Sequence, residues 1–105
     1  MREKIFKALK TTGLDVVYRT WSEGSECEMP YIAYRLIDTD NFGADNSAYC
    51  SVNNWAVELY SKQKDDESEQ AVETAISSLE VSFNKYESQI DKDTTMVLYQ
   101  FSTIG

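Results

Sequence analysis

The chain contains no histidine. That absence removes Ser-His and Cys-His nucleophile pairs and every metal site built on imidazole. Cysteine is nearly as scarce: Cys27 and Cys50 lie in no CxxC motif and at no metal-ligand spacing. A disulfide between them stays open, but two such thiols fit a reduced, cytosolic setting better. The glycines are scattered at 13, 24, 43 and 105, so there is no Gly-rich loop to cradle a phosphate. No apolar stretch approaches the roughly 20 residues that span a bilayer. The N-terminus carries lysines but no apolar run of about 7–15 residues, so no signal peptide is expected either. Basic residues are outnumbered, 10 Lys and Arg against 18 Asp and Glu, for a net charge of -8. A protein that grips nucleic acid through its phosphates should be basic, which makes free DNA a poor ligand.

What is present suits one soluble α+β domain over residues 1–105. Apolar residues make up 42% of the chain and charged residues 27%, ordinary values for a globular domain. A chain of this length buries about 60–70% of its unfolded surface, enough for one core. The charge is unevenly placed. Residues 1–12 hold Arg2, Lys4, Lys7 and Lys10 against Glu3, a net of +3. Residues 23–45 hold Glu23, Glu26, Glu28, Asp38, Asp40 and Asp45 against Arg35, a net of -5. Such polarity either steers one subunit onto another or is a solvated surface.

Periodicity sets the elements. Ile5, Phe6 and Leu9 share a face of a helix over 2–11, with Gly13 at its C-terminal cap. Residues 15–20 are rich in β-formers. Pro30 stands where a strand can begin without losing a ladder donor, and residues 31–37 alternate as a second strand. Residues 38–47 are dense in turn formers, predicting a long hairpin loop. A third strand over about 48–61 turns Trp55, Val57 and Leu59 to the core and leaves its other face partly wet. A helix capped by Asp65 or Asp66 follows, with a stripe of Val72, Ala75, Ile76, Leu79 and Phe83. A short edge strand is expected near 85–91. Residues 95–104 form a last strand, with Val97, Tyr99, Phe101 and Thr103 on one face. The expected fold is α+β: a mostly antiparallel sheet of four to five strands with two helices packed on one face.

Chemistry is hard to find. Asp38 with Asp40, and Asp65 with Asp66, could pair for acid–base work, but both pairs read as solvated turns. The run Asp38-Thr39-Asp40-Asn41-Phe42-Gly43 opens like a calcium loop and then fails: Phe42 takes the place of an oxygen ligand, and Tyr49 that of the closing glutamate. No catalytic residue, metal or cofactor is expected. Trp55, Phe83 and Phe101 belong to apolar patterns and read as core. Trp21 and Phe42 sit among polar neighbours, where each either covers the end of the core or anchors a partner.

Five stretches remain to be weighed together: Pro30-Tyr31-Ile32-Ala33-Tyr34, Phe42-Gly43-Ala44-Asp45-Asn46, Tyr49, Val57-Glu58-Leu59-Tyr60 with its acidic-led helix, and Tyr99-Gln100-Phe101. Together they resemble small neck proteins of long-tailed bacteriophages, of the tail completion or tail terminator type. The resemblance spans nearly the whole chain, although no single motif in it is specific. It implies a structural virion protein, not an enzyme. Such proteins form a ring, commonly sixfold, at the head-proximal end of the tail tube, between tube protein and head connector. DNA passes through the lumen without specific binding, and no membrane is involved; assembly takes place in the host cytoplasm. Phe42, Asp45 and Asn46 in the loop, with Lys4 and Lys7 on the basic helix, are the expected interface residues. Two other virus-encoded roles suit a small acidic chain: a head-completion adaptor, and an acidic inhibitor that mimics DNA. A cellular interaction module is a further reading.

Overall fold

A computed structural model describes residues 2–18, 29–42 and 50–104, with the side chains of 41, 42 and 50 outside that description. Helix α1 spans Arg2–Lys10 and buries Ile5, Ala8 and Leu9. Its end is closed locally. Thr11 and Thr12 donate their hydroxyls to the carbonyls of Ala8 and Leu9, at 2.6 and 2.7 Å. Gly13 then takes a positive φ of 85°, a conformation open to glycine at little cost.

Among the described residues, five strands form one sheet in the order β1-β2-β3-β5-β4. They are β1 (Asp15–Tyr18), β2 (Tyr31–Phe42), β3 (Cys50–Ser61), β4 (Phe83–Asp91) and β5 (Thr94–Ile104), with helix α2 (Asp66–Ser77) between β3 and β4. Strands β1 and β2 pair in parallel, and the other pairings among the described residues are antiparallel. Strands β3 and β4 therefore point the same way, joined by α2, with β5 inserted between them. The α+β fold expected from the sequence is the one observed.

The core lies between the two helices and one sheet face. It gathers Ile5 and Leu9 from α1, Val72, Ala75 and Ile76 from α2, and Ile32, Tyr34, Trp55, Val57, Leu59, Val97, Tyr99 and Phe101 from the sheet. Strand β5 alternates as its sequence does, burying Val97, Tyr99, Phe101 and Thr103. The other face is less wet than expected along β3: Ala56 is fully buried, and Glu58 nearly so. Register explains part of this. Ala56 lies between Arg35 and Gln100, and Glu58 between Ala33 and Leu98. The Glu58 carboxylate accepts from the Tyr60 hydroxyl at 2.9 Å and lies 3.8 Å from the Arg35 guanidinium.

Two expectations are corrected. The stripe of α2 stops short of Phe83. The helix ends at Ser77, Glu80 takes a left-handed φ of 61°, and the chain enters β4 at Phe83, opposite Phe101. There the Phe83 ring meets Tyr99 edge-on at 5.4 Å. Leu79, in the turn, still packs against the core. The second correction concerns the hairpin. Residues 38–42 are not loop but the end of β2, paired in register with residues 50–54 of β3.

Candidate functional site

That correction produces the most distinctive surface feature of the molecule, an antiparallel arm. The last core residues on each strand are Tyr34 of β2 and Trp55 of β3. Beyond a register shift between Leu36 and Asp38, β2 runs on with exposed side chains through Asp40, and β3 faces it with half-buried ones from Ser51 to Asn54. Cross-strand side-chain bonds support the ladder there. The Asn54 amide donates to Asp38 Oδ1 at 2.5 Å and to Asp40 Oδ2 at 3.1 Å. Thr39 donates to Asn53 Oδ1 at 2.8 Å. The end of β5 lies alongside, with Ser102 opposite Asn54 and Ile104 opposite Val52. Ile104 is 72% exposed. One face of the arm thus carries Asp38, Asp40 and Asn54 beside Val52 and Ile104.

The second feature is the outer side of α1. Lys4, Lys7 and Lys10 are exposed there, and among the described residues none of them forms an ion pair. The Phe6 ring, 39% exposed, flanks them and lies 6.5 Å from Tyr34. The remaining cation of α1 is engaged: the Arg2 guanidinium stacks 4.7 Å over the Tyr18 ring.

A third cluster ties α2 to the edge strand β4. The Glu69 side chain is only 5% exposed. Its oxygens meet Lys64 at 3.0 Å and Lys85 at 2.9 Å. Lys85 also reaches Glu73 at 2.7 Å, and Lys64 reaches Glu87 at 2.5 Å. The Tyr99 hydroxyl donates to Glu73 at 3.0 Å. Burial pushes the Glu69 carboxyl up, but bonds from Lys85 and Lys64 outweigh it and hold the group below its ordinary value. Both lysines are pushed up, chiefly by hydrogen bonds to these glutamates. Burial, helped by Glu73, pushes the Tyr99 phenol far up. Every charge in this cluster faces an opposite charge, so the arrangement holds structure together rather than poising a base. A shallow groove of about 440 Å³ runs beside it, lined by Glu69, Glu73, Phe83 and Lys85 among others.

No family model matches the chain. No curated protein matches its sequence. A solved chain does match its fold. That chain comes from the virion of a native gene transfer agent particle. The TM-score is 0.58 at 13% identity, over 96% of this chain and 92% of that one. At this identity the likeness is one of fold.

The expected interface residues fall into two groups. Lys4 and Lys7 are where the sequence placed them, exposed on α1. Asp45 and Asn46 lie outside the described residues, as do Trp21 and Cys27, while Phe42 is placed only by its backbone, paired with Cys50. Of the two carboxylate pairs, Asp38 and Asp40 are tied to Asn54. Asp65 caps α2, accepting from the Ser68 amide at 3.1 Å and its hydroxyl at 2.8 Å. Sequence reasoning did not single out Asn54 or the Glu69 cluster. The spacing of Asp38, Asp40 and Asn54 to either side of one hairpin was the available signal for the first. For the second, Lys64 lies five residues before Glu69, but Lys85 and Glu87 come from β4 and carry no local signal.

Proposed function

We propose that this chain is a structural protein of a phage or phage-like particle, and that it forms a ring closing the head-proximal end of the tail tube. The observation that carries the reading is the fold likeness to a virion chain over nearly the full length of both proteins. The neck-protein stretches of the sequence support the finer role. In it, copies of the chain, six in the commonest arrangement, cap the tube and offer the head connector a surface. The acidic balance suits a lumen that repels DNA phosphate and lets the duplex slide. A DNA mimic would need free carboxylates in a row. Here Glu69, Glu73 and Glu87 are taken up by Lys64 and Lys85, and α1 is basic.

The test is capture on purified tail tubes, read by electron microscopy and by pull-down with the tube protein. The expected result is density at one tube end only. Failure to bind tubes, together with binding to a head connector, would move the protein to head completion. Binding and inhibition of a DNA-processing enzyme would favour the mimic.

A further inference from the structure

We infer that the β2–β3 arm of one copy docks on the basic face of α1 in the next copy. The inference rests on the ring reading and supplies its subunit contact. A ring needs a heterologous interface, in which one patch meets a different patch. The two surfaces on this molecule are different, opposite in charge and both exposed. Asp38 and Asp40 lie two positions apart on one strand face, a spacing of roughly 7 Å. Lys4 and Lys7, like Lys7 and Lys10, lie one helical turn apart, with about 5–6 Å between their Cβ atoms. Long lysine side chains bridge the difference. Each charged set has an apolar neighbour: Val52 and the 72%-exposed Ile104 beside the aspartates, and Phe6 beside the lysines. The carboxylates are already oriented by the Asn54 amide, so docking orders little that was free.

The contact is tested by charge reversal and its repair. Lys4→Glu with Lys7→Glu, and separately Asp38→Lys with Asp40→Lys, are compared with the parent by sedimentation velocity, with and without tail tubes. Circular dichroism melts check that each variant is folded. Asp38→Asn with Asp40→Asn removes charge while retaining oxygen acceptors for Asn54. Each one-sided set should raise the concentration for half-assembly about tenfold, equivalent to about 1.4 kcal/mol. Mixing the two reversed proteins, or combining both sets in one chain, should restore assembly. The defect should shrink between about 0.1 and 1 M salt as the Debye length falls from about 10 to 3 Å. Parent-like assembly by every folded one-sided variant, or no repair on combination, overturns this contact while leaving the ring standing. A parent that stays monomeric at every concentration and on tubes overturns the ring and the contact with it.

Discussion

At the scale of the residue, two side chains carry more of the structure than their neighbours. Trp55 is 4% exposed at the centre of β3, and its indole N–H donates to Thr103 Oγ1 at 2.9 Å. It combines a large apolar area with a satisfied polar edge. Trp55→Ala is expected to cost about 3–5 kcal/mol, a large part of the roughly 5–15 kcal/mol that holds a domain together. Urea denaturation measures it, and an unchanged midpoint would contradict the core assignment. Glu69 shows the electrostatic counterpart. Its carboxyl is lowered in the folded state, so the anion stabilises the fold above the unfolded pKa. That contribution is lost as pH falls through the folded value. Stability should therefore decline below about pH 4.3, the ordinary glutamate value. Glu69→Gln should flatten the decline relative to the parent. Parallel pH profiles for the two proteins would show that Glu69 is not a source of the acid sensitivity.

At the scale of the element, α2 shows how a local signal begins a helix and a distant one fixes it. Asp65 accepts from the Ser68 amide, and acids at Asp66, Glu67 and Glu69 occupy the positive end of the helix dipole. Asp65→Ala should cost about 0.5–2 kcal/mol in chemical denaturation, with Asp65→Asn close to the parent. If both substitutions were equally harmful, the carboxylate would matter for more than its cap. The lower turns of α2 are then held by the lysine–glutamate cluster against β4. That edge strand carries the charged side chains Lys85 and Glu87 among its exposed residues, a composition that discourages pairing with a stray strand.

At the scale of the whole molecule, charge and shape divide the labour. The helices cover one face of the sheet, and the arm extends the sheet past the buried cluster, within overall dimensions of 52 × 29 × 22 Å. Phe42, at the end of β2, offers a test of what the arm does. An assembly anchor at that position predicts that Phe42→Ala melts like the parent and fails to cap tail tubes. A core role predicts a destabilised monomer instead. Full capping by a stable Phe42→Ala protein would remove the anchor from consideration.

The sequence by itself determined the elements whose causes are local. Alternation in β5, the apolar stripe Val72-Ala75-Ile76, the Asp65 cap, the Gly13 terminus and the strand start after Pro30 all depend on neighbours within a few positions. The α+β class followed from their order. Only the tertiary structure decided where local preference and distant pairing disagree. Residues 38–42 are turn formers by type, yet they extend β2 because residues 50–54 supply a partner ladder and Asn53 and Asn54 supply side-chain bonds. Phe83 fits the helical stripe, yet it belongs to β4, where Phe101 and Tyr99 meet it. Glu69 reads as one more acid on a helix surface until the fold brings Lys64 and Lys85 to it. The parallel β1–β2 pair and the insertion of β5 between β3 and β4 are likewise non-local. Cross-strand contacts depend on which segments meet after the chain closes its loops, and no window of neighbouring residues contains that information.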